Sequence, residues 1–404
     1  MTAYTFRKLL NEKKFEELYT VLTNCTLSPE KNLKLYNEAL WLLGFLSLNW
    51  RNDPYRALSC FNRLLQSSHA LSSQARTAFW LGMAFKQLEA RDVALLWFQR
   101  TATFSSTFYG QLAQVFLYRF SSPYVWVTHP ETFLNPTAPV PAHITDSAAF
   151  NLISAFQANN LFHGTQKEKS HTVNLVYNRM PDFMSKIALL KSMYHLDPSL
   201  TVFVYEKIKH DYKTVSFLGY HLLSQLAPAE KLENLYNTLS GTPAQKQFIK
   251  TLAHAVVLVE SEFRARANSP AGAEGLMQMM PDTAKEEKQK LTRGNLLKKD
   301  VSFDLRKASD NLVLGSSHLQ TLIAEFGDNI VLIAAAYNAG RGNVRKWLEK
   351  WGDPRLGTMS TLLWIELIPF SETRRYVKKI IEAFVVYTKI LNTEFLQSSV
   401  WALF

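Results

Sequence analysis

Apolar residues recur at three- and four-residue intervals along most of the chain, a spacing that predicts helices rather than strands. Residues 1–20 read as one amphipathic helix with charges throughout. Two stretches then echo one another. Glu38-Ala39-Leu40-Trp41-Leu42-Leu43-Gly44-Phe45 returns as Arg76-Thr77-Ala78-Phe79-Trp80-Leu81-Gly82-Met83, and Tyr55-Arg56-Ala57-Leu58-Ser59-Cys60-Phe61 as Asp92-Val93-Ala94-Leu95-Leu96-Trp97-Phe98. Gly44 and Gly82 are 38 positions apart, and Ala57 and Ala94 are 37 apart. Each unit predicts a helix with a small residue at a close crossing, a turn, and a second helix with an aromatic anchor. Such a unit cannot bury its apolar face alone and must stack on its neighbours.

Prolines interrupt this pattern over residues 121–145, where Pro123, Pro130, Pro136, Pro139 and Pro141 forbid a continuous helix. Helical periodicity resumes near Asp146 and runs to about residue 238, with a turn at His195–Ser199 between helices at Ile187–Tyr194 and Val202–His210. Gly241-Thr242-Pro243 is a clean break. It divides the chain into a helical-repeat region, 1–244, and a second domain, 245–404. In the second domain Phe248–Glu260 is a strongly apolar helix. Leu312, Gly315, Leu319, Leu322 and Phe326 mark one face of another, ended by Gly327. Asp328 is placed to cap Ile330–Tyr337, a nearly all-apolar and therefore buried helix that Gly340 stops. Ser371 is placed to cap a last helix, Glu372–Leu391. Apart from a short stretch around Gly275–Gln278 no strand pattern exists, so the fold class is all-α.

Composition narrows the chemistry. Of 404 residues 47% are hydrophobic, enough for packed cores, which excludes wholesale disorder. Two cysteines, Cys25 and Cys60, exclude a disulfide framework and a four-cysteine zinc site. The net charge of +11 points to an anionic partner. Basic residues are spread among the helices rather than gathered in one arm, which argues against nucleic acid. No run of about 18 apolar residues predicts a membrane span, and no apolar signal segment follows Met1. Phosphate-binding, zinc-protease and nucleophile-elbow motifs are missing. His69, His171, His221 and His318 lack the spacing of metal ligands, and no metal or cofactor is expected.

Glu260 ends the apolar helix 248–260 beside Ser261 and Phe263. A carboxyl packed against apolar groups resists ionisation and can serve as a general acid near neutrality. Downstream stands Ser269-Pro270-Ala271-Gly272-Ala273-Glu274-Gly275-Leu276-Met277-Gln278-Met279-Met280-Pro281. Together with Glu260-Ser261-Glu262-Phe263 it closely resembles the signature of the soluble lytic transglycosylases of bacterial cell walls. Ala335-Ala336-Tyr337-Asn338-Ala339-Gly340 and Trp364-Ile365-Glu366-Leu367-Ile368-Pro369-Phe370, followed by Glu372-Thr373-Arg374 and Tyr376, resemble that family's later blocks. Upstream, Phe79-Trp80-Leu81-Gly82 and Phe108-Tyr109-Gly110-Gln111 look like the helical superstructure of its large members.

The resemblance implies an α-helical repeat superhelix followed by a lysozyme-like, mostly helical transglycosylase domain. It implies cleavage of the β-1,4 bond between N-acetylmuramic acid and N-acetylglucosamine without water, giving 1,6-anhydromuramic products. Glu260 would be the single acid/base. Ser269, Met277, Gln278, Tyr337, Asn338, Glu366 and Tyr376 would contact or orient the sugar. Peptidoglycan would be the partner, the periplasm the compartment, and peripheral association with the cell envelope an option. A non-enzymatic helical scaffold that binds glycan or protein through a degenerate cleft is the alternative. The charged stretch Lys285–Lys290 is expected to face solvent.

Overall fold

The computed structural model describes residues 2–25, 27–105, 107–120, 165–180, 183–211, 236, 239, 241–294, 302–391, 393, 396 and 400–404. The proline-rich break and most of the stretches 146–164 and 212–238 expected as helix lie outside them. Among the described residues the chain forms α-helices and one 3-10 turn, with no strand. Only two isolated antiparallel bridges, Asn268 with Glu274 and Glu274 with Met279, mark the stretch where the sequence hinted at one.

In chain order the helices are α1 (Ala3–Asn11), α2 (Phe15–Thr23), α3 (Pro29–Asn49), α4 (Pro54–Ser67), α5 (Leu71–Gln87), α6 (Arg91–Ala102) and α7 (Phe108–Phe120). Next come α8 (Gln166–Arg179), α9 (Phe183–Leu196) and α10 (Pro198–Asp211). The last seven are α11 (Pro243–Ser261), α12 (Pro281–Arg293), α13 (Ala308–Phe326), α14 (Ile330–Ala339), α15 (Arg341–Trp351), α16 (Thr361–Leu367) and α17 (Ser371–Ile390).

Helices α1 to α7 fall in one compact unit, drawn from residues 1–127, 338–382 and 400–404. The single N-terminal helix expected from the sequence is two, because Lys13 turns into the left-handed region at φ 60° between α1 and α2. The repeat has a direct physical basis. A Cβ on Gly44 of α3 would lie 2.6 Å from the Phe61 ring of α4, and one on Gly82 of α5 would lie 2.7 Å from the Phe98 ring of α6. Each glycine is a notch that receives the aromatic anchor of the next helix. Trp41, Phe45, Phe61, Phe79, Trp80 and Phe98 continue from one hairpin to the next as ring-to-ring contacts. Each such buried side chain is worth about 1.5–3 kcal/mol. Residues from the other end of the chain complete this unit. Glu382 accepts a hydrogen bond from the Phe108 backbone N–H at 2.7 Å, and the Trp401 carbonyl accepts one from Arg119 at 2.8 Å. Cys25 and Cys60 are both free thiols, Cys60 buried.

The second unit comprises 128–337 and 383–399. In it α8, α9 and α10 share a core that includes Tyr177, Leu190, Met193, Val204 and Ile208, with the α9–α10 break at Asp197 inside the expected turn. Helix α11 packs Phe248 on Phe384 at 5.2 Å between ring centres, and His254 on Tyr387 at 5.0 Å. Three local expectations are corrected. Asn329, not Asp328, caps α14, its side-chain oxygen accepting from the Leu332 N–H at 3.1 Å. Ser371 is the first residue of α17 rather than its cap, and the Phe370 carbonyl accepts the Arg374 N–H at 3.0 Å. Glu287, inside the charged stretch assigned to solvent, is fully buried, while Lys285, Glu286 and Gln289 are exposed.

Candidate active site

Helix α11 begins with a capping box in which Thr242 and Gln245 exchange side-chain and backbone bonds, and Pro243 opens the first turn. Its interior residues Leu252, Ala253, Val256 and Val257 are buried, so the helix is anchored along its length. It stops after Ser261 because Glu262 and Phe263 both adopt left-handed backbone, at φ 50° and 62°. Glu260 is therefore the next-to-last residue of a rigid element and is half-buried. Glu262 has left the helical path altogether and sits 3.7 Å from Arg264.

Residues 267–279 form a tight loop beyond it. The Ser269 N–H donates to the Ala273 carbonyl, and the Ala273 N–H donates to Ser269 Oγ, both at 2.9 Å. Gly275 has φ 80°, and a Cβ there would lie 2.0 Å from the Leu305 carbonyl oxygen, so only glycine fits. Gln278, itself at φ 46°, donates from Nε2 to the carbonyls of Ala267 (3.0 Å) and Gly275 (2.9 Å). Both its amide hydrogens serve the loop, and its oxygen carries the remaining hydrogen-bonding capacity.

Asn311 of α13 pins this loop from behind. Its Oδ1 accepts the Met277 N–H at 2.8 Å, and its Nδ2 donates to the carbonyls of Glu274 and Leu305, each at 2.9 Å. The Met277 side chain is fully buried against Gly315, whose absent Cβ would stand 2.2 Å from the sulfur. Tyr337, near the end of α14, donates its hydroxyl to the Met277 carbonyl at 2.7 Å. Burial, and then the negative charge of Glu260, push the Tyr337 hydroxyl well above the ordinary tyrosine range, so it remains a donor.

Glu260, Ser269, Met277, Gln278 and Tyr337 lie in one unit, where Tyr337 holds Met277 and the side chains of Ser269 and Gln278 brace the same loop. Asn338, Glu366 and Tyr376 belong to the other. Asn338 accepts a hydrogen bond from the Thr373 hydroxyl at 2.6 Å. Tyr376 is 7% exposed. Glu366 is 1% exposed, and cations and a phenol surround it. Arg76 lies 2.6 Å away, Lys378 pairs with it, and the Tyr109 hydroxyl donates to it at 2.5 Å. Burial alone would raise the Glu366 carboxyl, but Arg76 and Lys378 hold it well below the usual carboxylate range. Burial in turn lowers Lys378 to about 8.

Sequence reasoning missed Asn311 and the pair formed by buried Glu287 and half-buried His318. Asn311, Gly315, His318 and Leu322 follow the spacing of a core-facing helix stripe. Polar residues at that spacing were the available signal, since a buried polar group needs a built partner. Among the described residues no group of three or more His, Cys, Asp and Glu side chains could hold a metal ion.

Residues 241–355 match the sequence profile described as the Transglycosylase SLT domain. The soluble lytic murein transglycosylase of Escherichia coli strain K12 is 36% identical over 153 residues, covering 38% of this chain and 23% of the relative. That of Salmonella typhimurium is 36% identical over 142 residues, covering 34% of this chain and 20% of the relative. The matched stretch thus spans less than a quarter of the length of these two curated relatives. The solved lytic transglycosylase Slt of Pseudomonas aeruginosa aligns with 96% of this chain and 62% of its own, at a TM-score of 0.59 and 21% identity. The chain therefore carries an SLT domain, and its all-α fold is that of the lytic transglycosylases.

Proposed function

We propose that this chain is a peptidoglycan lytic transglycosylase in which Glu260 is the only acid/base. Residues 1–244 would be its helical-repeat part and 245–404 its lysozyme-like catalytic part. Protonated Glu260 gives its proton to the glycosidic oxygen as the bond from that oxygen to the anomeric carbon of N-acetylmuramic acid breaks. The resulting carboxylate then takes the proton of the muramic O6 as that oxygen bonds to the same carbon. The acid is regenerated, no water is consumed, and the product is a 1,6-anhydro sugar.

The observation that carries this reading is the engagement of the carboxylates nearest Glu260 in sequence. Glu262 and Glu274 are turned to Arg264 and Arg306, at 3.7 and 3.2 Å. Most glycosidases divide their proton transfers between two carboxyl groups. An internal nucleophile lets one titrating group perform both. Tyr337 supports the same chemistry: its hydroxyl gives its one proton to the Met277 carbonyl and so fixes the loop, and burial and the charge of Glu260 keep it neutral, so it does not compete for the acid's proton.

Ser269 and Gln278 offer polar groups for the sugar, and Met277, fully buried against Gly315, shapes the loop that carries them. Glu366 acts through the cations it neutralises, because its burial leaves no open face for a sugar. A peptidoglycan substrate would put the protein in the periplasm, and the net positive charge suits a polymer bearing lactyl and peptide carboxylates. The test is mass spectrometry of fragments released from purified sacculi. An anhydro product, lighter by one water than the hydrolytic one, is expected, and Glu260→Gln should abolish it while leaving the fold intact. Hydrolytic fragments, or full activity in Glu260→Gln, sink the assignment. No fragments at all would favour the scaffold reading.

A further inference from the structure

Behind Tyr337 lies a polar cluster that the proposed reaction does not use. Glu287 of α12 is fully buried and faces α13. Its Oε2 accepts from the Ser317 hydroxyl at 2.9 Å and the Thr321 hydroxyl at 3.2 Å. Its Oε1 accepts from Lys290 at 2.8 Å and lies 3.1 Å from the His318 ring nitrogen Nδ1. Burial would raise the Glu287 carboxyl, but hydrogen bonds from His318, Lys290 and Ser317 outweigh it and hold the group down to about 2. An ionised carboxylate only accepts, so Nδ1 must carry its proton. That bond sets both the tautomer and the tilt of the imidazole. The same ring packs on Tyr337, centre to centre 5.4 Å at an interplanar angle of 60°. Tyr337 is thus gripped at two ends, by the Met277 carbonyl at its hydroxyl and by His318 on its ring.

We propose that His318, anchored by Glu287, is a positioning residue for Tyr337, fixing the ring so that its hydroxyl stays on the Met277 carbonyl and holds the 267–279 loop in place. This rests on the transglycosylase reading. Four ligands on one buried carboxylate are more than helix packing between α12 and α13 requires; an apolar contact would join them without the cost of burying a charge. What the charge adds is direction: a ring bonded at one nitrogen cannot swing away from its neighbour.

The test combines sacculus digestion with NMR of the full chain carrying 13C at the tyrosine ζ carbons. The Tyr337 resonance is assigned by its loss in Tyr337→Phe. His318→Asn keeps a donor for Glu287 but removes the ring. It is expected to shift the Tyr337 resonance and to lower kcat about tenfold with KM within about twofold, the mark of lost orientation rather than lost binding. His318→Phe, which restores a ring face, should recover part of that loss. In the Tyr337→Phe background His318→Asn should make no further difference, since the hydroxyl it positions is gone. Glu287→Gln should move the same resonance less far, and it serves if His318→Asn does not fold. Losses that add in the double variant, or a Tyr337 resonance that does not move, overturn the proposal. A wild-type protein that leaves sacculi uncut overturns both readings; one that cuts while the resonance stays put overturns only this one.

Discussion

Arg76 and Glu366 are 290 positions apart in sequence and 2.6 Å apart in space. The Arg76 guanidinium also lies over the Trp41 ring, 3.2 Å from its centre, so one side chain serves an ion pair and a cation–π contact. Glu366 is the anion that makes this burial of cations tolerable. Replacing it with Gln keeps the shape and removes the charge, leaving Arg76 and Lys378 uncompensated. Removing one partner of a buried pair costs about 3–5 kcal/mol. Urea denaturation of Glu366→Gln should show a loss of that order; a change below about 0.5 kcal/mol would show that the network is not a stabilising element.

His254 gives a stability that depends on pH. Burial lowers its folded-state pKa from 6.5 to about 4, and its Nδ1 sits 2.7 Å from the Lys250 carbonyl. The folded state therefore holds the neutral ring, while the unfolded chain takes up a proton below 6.5. Its contribution is present above pH 6.5 and is lost as pH falls toward about 4, with a ceiling of roughly 3 kcal/mol. Glu287 acts lower, its share being lost between 4.5 and about 2. Denaturation midpoints measured at pH 7 and 4.5 should differ less in His254→Phe than in the wild type. Equal differences would contradict this account.

The notch at Gly82 should tolerate no side chain. Gly82→Ala sets a methyl 2.7 Å from the Phe98 ring, in a helix pair with no slack. Overpacking of this kind costs about 1–3 kcal/mol. Phe98→Leu in the same chain should return part of the loss, because the ring edge is what the methyl strikes. Thermal unfolding of the single and double variants decides it; losses that simply add would mean that the two residues do not meet.

Asn311 should matter to activity more than its place behind the loop suggests. Asn311→Ala leaves the buried Met277 N–H without its partner, at about 1–3 kcal/mol, and takes one donor each from the carbonyls of Glu274, which keeps the Met279 N–H, and Leu305. The loop that holds Met277 and Gln278 then loses its rear support. Sacculus digestion is expected to fall by at least about tenfold under conditions where circular dichroism still reports a folded protein. Unchanged turnover would show that the loop holds its shape by its internal bonds alone.

Much of the fold and part of the site are legible in the amino-acid sequence, and the reason differs from place to place. Gly44 and Gly82 are legible as notches because a close crossing and its aromatic anchor both leave a mark in sequence, at matched intervals. Glu260 is legible because its neighbours form a dense, ordered motif. Asn311, Glu287 and His318 are not, since each makes its bonds to partners on another element and nothing local distinguishes a buried glutamate from a solvated one. The Lys285–Lys290 stretch shows the difficulty: on a helix, one residue in four can turn inward while its neighbours stay wet. Asp328 and Asn329 are equally good caps by composition, and only the backbone bond to Leu332 chooses between them.

The partners of Glu366 also set an order of events during synthesis. Arg76 and Tyr109 leave the ribosome long before Glu366 and Lys378 do. Until then the nascent hairpins carry a cationic, half-finished surface. Loop closure over such a separation is slow and comes late, after the local hairpins have formed. A chain released before residue 366 would therefore lack the anion that neutralises Arg76.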